Sequence, residues 1–258
     1  MASEEPVIRL NQVGFGYDRA ARVVDAVDAQ LLTGRVTALV GPNAAGKTTL
    51  MKLMLGLLEP WSGAIELEGK PLGAWSNAER ARRLSYVPQR PGVRFAFTVR
   101  QVVAMGGHVA GSAARDAVDR AIEEAGLADL ADRVFVQLSG GQQQRVLLAR
   151  AEVQSSANGA AMLLDEPGSH LDLHHRHTMM QRLVELAGRG LAVLVVLHDL
   201  DLAVRYSDDA WLMDEGKLVA AGPWKKVLTP DRLGPVYGVA LEQIDRGASR
   251  PLLAVQEG

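Results

Sequence analysis

A glycine-rich loop between an apolar run and a helical pattern constrains the fold of this chain most strongly. Val36–Val40 is a short apolar run that leads directly into Gly41-Pro-Asn-Ala-Ala-Gly-Lys-Thr48. After the loop, apolar residues recur at the spacing of one helix face, at Leu50, Leu53, Met54 and Leu57. A strand, a glycine-rich loop and a helix in this order form a phosphate-binding unit. We therefore expect a parallel α/β sheet that carries a phosphate site.

The loop supplies groups suited to phosphate and to a divalent cation. Gly41 and Gly46 let backbone N–H groups approach the phosphates. Lys47 brings a positive charge to the β- and γ-phosphates, and the Thr48 hydroxyl is a candidate Mg²⁺ ligand. We expect the nucleotide to be bound by Gly41, Pro42, Asn43, Ala44, Ala45, Gly46, Lys47, Thr48 and Thr49.

Two further apolar runs, 161–164 and 192–197, predict buried parallel strands. Asp165 and Glu166 directly follow the first run, at the strand end where ligands collect in open parallel sheets. Ionised carboxylates are costly to bury unpaired, so their position needs a reason. We interpret Asp165 as a carboxylate partner of Mg²⁺ and Glu166 as the base that polarises an attacking water. The alternative is an exposed pair of carboxylates at a strand end.

A second candidate phosphate site is the segment Leu138-Ser-Gly-Gly-Gln142. Ser139, Gly140 and Gly141 open a predicted helix, whose backbone amides and dipole suit a γ-phosphate. The alternative is an ordinary N-cap followed by a glycine turn. Two phosphate-binding segments far apart in one chain suggest a site that is completed by a second copy.

These motifs, in this order, resemble the ATP-binding cassette (ABC) ATPases, and the resemblance covers nearly the whole chain. It implies ATP and Mg²⁺ as cofactors. The implied fold is a P-loop NTPase (RecA-like) α/β core with a mainly parallel sheet, an antiparallel β subdomain and an inserted helical subdomain. We expect a single domain over 6–247, with the helical insertion at about 90–150 and a C-terminal tail at 248–258.

The resemblance also assigns roles to the signature segment 139–142. Ser139 and Gly141 match the positions that reach across to the nucleotide held by the second copy. Gly140 and Gln142 belong to the same nucleotide-binding segment. Asp172, in Ser169-His-Leu-Asp172, matches the loop that lies along the dimer seam.

Single residues elsewhere match further positions of the family. His198 resembles the switch histidine that contacts the γ-phosphate, and Gln89 the glutamine that contacts Mg²⁺ and reports the nucleotide state. With Lys47 and Glu166 they form the expected catalytic set. Tyr17 matches the aromatic that stacks on adenine; ordinary strand packing is its alternative.

Three positions depart from the family pattern. Ala44 stands where many family loops have glycine, and a positive φ there would cost on the order of 1 kcal/mol. Gly168 stands where threonine is frequent and is expected to loosen the approach to Asp172. Thr48 replaces the commoner serine but keeps the hydroxyl, so we expect no loss of function there.

Composition excludes several classes of partner and site. The 258 residues carry 28 Lys+Arg against 30 Asp+Glu, a net charge of −2, so no overall basic field attracts nucleic acid. Without cysteine the chain has no disulfide and no thiolate metal site. No run reaches the roughly 18 apolar residues of a membrane span. We expect no nucleic-acid partner.

Four histidines surround Asp172, at His170, His174, His175 and His177. The pairs 170/174 and 174/177 share a helix face and would be able to hold a metal. No fourth ligand is evident, so packing at an interface or on the surface is the favoured interpretation.

The segments 95–106, 169–172 and 227–239 resemble the importer subfamily for vitamin B12, ferric siderophores and haem. Two further segments, 71–76 and 156–167, are most similar to the vitamin B12 importer's ATPase and place vitamin B12 slightly ahead. The implied partners are a second copy, polytopic permease subunits and, indirectly, a periplasmic or lipoprotein substrate-binding protein. The implied location is peripheral, on the cytoplasmic face of the inner membrane. We expect Phe95 or Phe97 to receive a permease helix, with core packing as the alternative. The rival functions are an exporter's cassette, a non-transport ABC ATPase and a soluble nucleotide kinase.

Overall fold

The computed structural model describes residues 6–18, 21–90, 92, 95–110, 114–156, 158–247 and 249–255. Its strands are β1 (Pro6–Phe15), β2 (Val24–Leu32), β3 (Val36–Val40), β4 (Ser62–Leu67), β5 (Lys70–Pro71), β6 (Leu84–Val87), β7 (Ala161–Leu164), β8 (Ala192–Val196), β9 (Asp209–Asp214), β10 (Lys217–Pro223), β11 (Leu241–Arg246) and β12 (Ser249–Val255). Its helices are α1 (Lys47–Met54), α2 (Asn77–Arg83), α3 (Val99–Ala110), α4 (Ala114–Glu124), α5 (Gly140–Ser155), α6 (Leu173–Gly188), α7 (Leu200–Tyr206), α8 (Trp224–Val227) and α9 (Pro230–Tyr237).

The chain forms two compact units. Unit 1 comprises the described residues within 1–74 and 180–258, and unit 2 those within 75–179. The expected apolar runs are strands: β3, β7 and β8 are buried at every position. Strands that are apolar throughout are typical of parallel sheets covered on both faces. The expected α/β class is therefore confirmed.

Unit 1 holds a mixed sheet and an antiparallel sheet. In the mixed sheet β3 pairs in parallel with β8 and β9, and β10 pairs antiparallel with β9. The antiparallel sheet has the order β2-β1-β4-β5. Here β2 alternates between buried and less buried residues, as expected for a strand with one face on a core. This second sheet is the expected antiparallel β subdomain.

Unit 2 joins a parallel strand pair to a group of helices. β6 pairs in parallel with β7, from Leu84 opposite Ala161 to Val87 opposite Leu164. α3 buries Val99, Val102 and Val103, the i, i+3, i+4 face of an amphipathic helix. Gly106 allows α3 to approach α5 closely, because a Cβ there would lie 2.2 Å from the carbonyl oxygen of Arg150. The expected helical insertion falls within this unit.

The C-terminal segment has more structure than a tail. Residues 249–255 form β12, which pairs antiparallel with β11. Arg250 Nη1 donates to the carbonyls of Val204 and Ser207 at the end of α7, at 2.7 Å each. Within the described ranges, no helix is long and apolar enough to span a bilayer.

Candidate functional site

The glycine-rich loop in unit 1 needs its glycines for two reasons. Gly41 has φ +147° and Gly46 has φ +98°, values that other residues rarely adopt. A Cβ on Gly41 would lie 2.1 Å from the carbonyl oxygen of Met213, and one on Gly46 would lie 2.4 Å from that of Val23. The loop is therefore packed against neighbouring backbone on two sides, and only glycine fits at either position.

Lys47 begins α1 and is placed by the loop itself. Its Nζ donates to the carbonyls of Gly41 and Pro42, both at 2.8 Å, and the residue is only 6% exposed. α1 has Gly46 at its N-cap and no side-chain cap. Backbone N–H groups of its first turn thus lie beside a fixed ammonium group, which is the arrangement that binds phosphate.

A hairpin turn contacts the phosphate loop through backbone hydrogen bonds. The turn between β9 and β10 is Glu215–Gly216, and both residues have positive φ. Gly216 N–H donates to the carbonyl of Ala45 at 3.1 Å, and Gly216 C=O accepts from Asp25 N–H at 2.8 Å. No local pattern in the sequence signals this contact between the turn and the phosphate loop.

Ala44 has φ +65°, in the left-handed region. The expected strain at this position is therefore confirmed, at a cost of about 1 kcal/mol. The strain lies between Gly41 and Gly46, inside the segment that the hairpin supports.

Tyr17 belongs to an aromatic group at the end of β1. It is 62% exposed, its ring meets Phe15 edge-to-face at 5.2 Å, and its hydroxyl lies 3.4 Å from Thr49 Oγ1. Phe15 also contacts Trp61, with ring centroids 5.6 Å apart. An exposed ring beside α1 is suited to stacking on a base. Trp61, which is 45% exposed, was not predicted as part of this group.

His198 is also in unit 1, exposed between β8 and α7. Asp199 follows it and caps α7, where its carboxylate accepts from the N–H groups of Asp201 and Leu202 at 3.0 and 3.1 Å. The cap fixes the point at which the chain leaves the strand, so His198 has a defined place at the carboxyl end of β8.

In unit 2, Asp165 and Glu166 leave β7 in different environments. Asp165 is 2% exposed, and its N–H donates to the carbonyl of Val87 at 2.9 Å. Burial, together with the charge and hydrogen bond of Asp165, raises the pKa of Tyr86 to about 12. Tyr86 therefore stays protonated and donates to this carboxylate. Sequence reasoning missed this tyrosine.

Glu166 turns away from the strand with φ +47°. Its carboxylate accepts a hydrogen bond from the side-chain amide of Gln89. The structure thus brings together two residues that are far apart in sequence and that were both predicted as catalytic. The side chains of Asp165 and Glu166 are not an exposed strand-end pair, since Glu166 is half-buried and Asp165 is buried.

The signature segment forms a capped helix start and one wall of a pocket. Ser139 is the N-cap of α5: its hydroxyl accepts from Gln142 N–H at 3.3 Å, and Gln142 Oε1 accepts from Ser139 N–H at 3.0 Å. This capping box leaves Gly140 and Gly141 in the first turn. A pocket of about 520 Å³ is lined by this segment and by Asp172.

Asp172 lies at the start of α6, after a turn that Arg176 secures. Arg176 Nε donates to the carbonyls of Gly168 and Leu171, at 3.1 and 2.8 Å. The expected loosening at Gly168 is therefore opposed by a side chain of α6. Among the residues that the structure describes, no group of three His, Cys, Asp or Glu side chains is arranged to hold a metal ion, the histidines near Asp172 included.

The residues fit the nucleotide and the cation that the sequence implies. Gly41 and Gly46 allow the loop its tight turn against neighbouring backbone, and the loop carbonyls of Gly41 and Pro42 hold the Nζ of Lys47. The predicted metal ligands Thr48, Gln89 and Asp165 offer only oxygen donors, which is the chemistry that Mg²⁺ prefers. Unit 1 holds Tyr17, the loop 41–49 and His198; unit 2 holds Gln89, Ser139–Gln142, Asp165, Glu166 and Asp172.

Comparisons with known proteins agree with these observations. The model of the family described as ABC transporter matches residues 24–169. The chain is 42% identical over 225 residues to the hemin import ATP-binding protein HmuV of Pseudomonas entomophila (strain L48), covering 85% of this chain and 88% of that protein. It is 41% identical over 235 residues to the cobalamin import ATP-binding protein BtuD of Halobacterium salinarum (strain ATCC 29341 / DSM 671 / R1), covering 88% of this chain and 58% of that protein.

A solved structure supports the same assignment. A putative metal-chelate type ABC transporter in an inward-facing conformation matches with a TM-score of 0.82 and 25% identity, over 98% of each chain. The family model covers more than half of this sequence, and its segment contains both phosphate-binding motifs and the Asp165–Glu166 pair. The chain therefore belongs to the ABC transporter family.

Proposed function

We propose that this chain is the ATP-hydrolysing subunit of an ABC importer. The observation that carries the proposal is the hydrogen bond between Gln89 and Glu166, because it places two separately predicted catalytic side chains in contact at a strand end. The fixed Lys47 ammonium supports ATP as the nucleotide. Positioning and charge neutralisation perform most of the catalysis in phosphoryl transfer, and these residues supply both.

Each residue of the site has a proposed role. The loop 41–49 binds the phosphates, with Lys47 on the β- and γ-phosphates, and Tyr17 stacks on adenine. Thr48, Asp165 and Gln89 are the residues that would hold Mg²⁺, whose charge, once bound, offsets that of the phosphates. Tyr86 orients Asp165 by donating to its carboxylate. Glu166 polarises the attacking water and His198 contacts the γ-phosphate.

The signature segment acts on the nucleotide of a second copy. Ser139 caps α5 and leaves the amides of Gly140 and Gly141 at a helix start, which suits a terminal phosphate. In the proposed homodimer, each of two ATP molecules lies between the loop 41–49 of one copy and the segment 139–142 of the other. Gln142 and Asp172 line the same pocket, and we assign both to the dimer seam.

The proposed cargo is haem first and cobalamin second. The sequence alone placed vitamin B12 slightly ahead, but the hemin import proteins of Pseudomonas entomophila (strain L48) and Nocardia farcinica (strain IFM 10152) are both 42% identical to this chain. The corresponding partner is a polytopic permease, with a periplasmic or lipoprotein binding protein acting indirectly. The chain would then lie peripherally on the cytoplasmic face of the inner membrane.

The proposed permease contact is the aromatic pair of the segment after Gln89. Phe95 is 73% exposed, and its ring meets Phe97 at 6.0 Å. Phe97 is tied to the fold, because its carbonyl accepts from Phe135 N–H at 2.8 Å. An exposed aromatic held beside an anchored one is typical of an interface residue, so Phe95 is the member that we assign to the permease.

Glu166→Gln tests the ATPase assignment. The amide keeps the shape of the side chain but cannot act as a base, so we expect unchanged ATP binding with turnover reduced by roughly a hundredfold or more. The measurement is steady-state phosphate release beside equilibrium ATP binding. The variant should also accumulate as an ATP-dependent dimer in size-exclusion chromatography with light scattering. Near-normal turnover would exclude Glu166 as the base that polarises the attacking water.

Purification of the tagged wild-type chain from detergent-solubilised membranes tests the importer assignment. We expect a polytopic permease of the haem or cobalamin class to co-purify in a preparation that hydrolyses ATP. An exporter's membrane domain would instead support the rival cassette function. Recovery of soluble proteins alone, with ATPase activity intact, would contradict the importer assignment and leave only the assignment as an ATPase.

A further inference from the structure

The pocket beside the signature segment contains groups of opposite charge. Its lining includes Gly140 and Gly141, which carry first-turn amides of α5, and Asp172, which carries a carboxylate. Arg145 also lines the pocket, where its Nη1 donates to the carbonyl of Ala125 at 3.0 Å. The amides and the guanidinium attract an anion, whereas the carboxylate repels one. A phosphate therefore binds well only if Asp172 is held away from it.

His175 provides three contacts that hold Asp172. Its backbone N–H donates to Oδ1 at 2.9 Å, and its ring Nδ1 lies 2.8 Å from Oδ1 and 2.9 Å from Oδ2. These hydrogen bonds from His175 are the main reason that the pKa of Asp172 lies below its ordinary value. An ionised carboxylate only accepts hydrogen bonds, so Nδ1 of His175 carries the hydrogen.

The position of Asp172 at the start of α6 also stabilises its ionised carboxylate. Asp172 directly precedes α6, and its acceptance from the N–H three residues later is the geometry of an N-cap. A negative charge at a helix start is favoured by the helix dipole. Both groups are substantially exposed, at 38% for His175 and 66% for Asp172, so the contact is not imposed by a surrounding core. The backbone N–H and the ring of His175 select the held rotamer together, and only the ring contacts depend on the side chain.

We propose that His175 is a positioning residue that holds the carboxylate of Asp172 at the start of α6, so that the pocket beside the signature segment accepts the terminal phosphate of ATP. The proposal rests on the proposed function, in which that phosphate belongs to the ATP of a second copy. His175 also lines the pocket, and the role proposed for its ring is to hold Asp172. Removal of the ring leaves only the backbone N–H of residue 175 to hold Asp172, so its carboxylate moves more freely beside the pocket, and the repulsion weakens the ATP-dependent dimer.

A double-mutant cycle separates this role from a structural one. The full chain carrying Glu166→Gln is the background, and the readout is the MgATP concentration for half-maximal dimerisation, by light scattering. We expect His175→Ala to raise that concentration by roughly three- to tenfold, the order set by repulsion between two charges near a protein surface. In chains that also carry Asp172→Asn, which keeps the cap without the charge, His175→Ala should change it by less than about twofold.

His174→Ala is the matched control. It removes the neighbouring histidine of α6, whose ring contacts His175 at 5.4 Å, but which does not line the pocket. We expect little change in dimerisation. Equal effects of His175→Ala in chains with and without Asp172→Asn would overturn the positioning role, and thermal unfolding would then show a loss of helix stability. If the background chain itself formed no ATP-dependent dimer, the proposed function and this inference would both fail.

Discussion

At the residue scale, two side chains of the site occupy a backbone region that is unfavourable for them. Ala44 has φ +65° and Glu166 has φ +47°. Such conformations cost on the order of 1 kcal/mol each and persist only where surrounding structure enforces them. At Glu166 the turn has a visible use, because it points the carboxylate to the amide of Gln89. At Ala44 the cost comes from the side chain alone, since glycine would adopt the same turn freely.

Tyr86→Phe tests the residue that the sequence did not reveal. The substitution removes the hydroxyl that donates to Asp165 and keeps the ring. A hydrogen bond to a charged group contributes about 1.5–3 kcal/mol, so Asp165 should be held less firmly. We expect the Mg²⁺ concentration for half-maximal ATPase activity to rise several-fold, measured by titrating Mg²⁺ at saturating ATP.

Tyr206→Phe is the control for this substitution, because it makes the same chemical change on α7. It should leave the Mg²⁺ titration unchanged. An unaltered Mg²⁺ dependence in Tyr86→Phe, with normal folding, would show that the hydroxyl does not orient the carboxylate.

At the scale of elements, two hairpin turns allow a matched comparison. Glu68–Gly69 and Glu215–Gly216 both have positive φ at both residues. A Cβ on Gly69 would meet nothing within 4 Å, whereas one on Gly216 would lie 2.8 Å from the carbonyl oxygen of Val23. We expect Gly69→Ala to cost about 1 kcal/mol of stability from strain alone. Gly216→Ala should cost a further 1–3 kcal/mol, roughly, from the clash.

ATP binding should also distinguish Gly216→Ala from Gly69→Ala. Gly216 N–H donates to Ala45 in the phosphate loop, so a shift of this turn should weaken ATP binding. Gly69 lies between β4 and β5 and should leave ATP binding unchanged. Urea denaturation and equilibrium nucleotide binding measure the two effects. Equal losses of ATP affinity in both variants would exclude a specific support of the loop by the hairpin.

The sequence predicted those parts of the site that depend on local pattern. The apolar runs of β3, β7 and β8 and the helix start at Ser139 need only short-range information, and all four are confirmed. The contacts of Gly216 with Ala45 and of Tyr86 with Asp165 join residues that are distant in sequence. No periodicity encodes such pairs, because they arise from the packing of whole elements. For the same reason no local pattern predicts that part of the expected tail at 248–258 forms β12, which pairs with β11.

At the scale of the whole molecule, β12, the last described strand, packs against the core of unit 1. Besides its bonds to α7, Arg250 lies over the ring of Trp224 at 5.0 Å. Asp201 on α7 accepts from Leu253 N–H at 3.1 Å. Trp224 is buried at the start of α8, immediately after β10, whose hairpin supports the phosphate loop. The C-terminal strand therefore stabilises elements that lead back to the nucleotide site.

Arg250→Ala tests this closure. The substitution removes two hydrogen bonds from a charged donor and a cation–π contact, and the partial exposure of the pair limits the loss. We expect the free energy of unfolding to fall by about 2 kcal/mol. Arg250→Lys should recover only part of it, because an ammonium can donate to the two carbonyls but cannot lie flat over the ring of Trp224 as a planar guanidinium does. Lys226→Ala, an exposed cation on α8, is the control and should change stability by less than about 0.5 kcal/mol. Full stability in Arg250→Ala would show that β12 docks without this side chain.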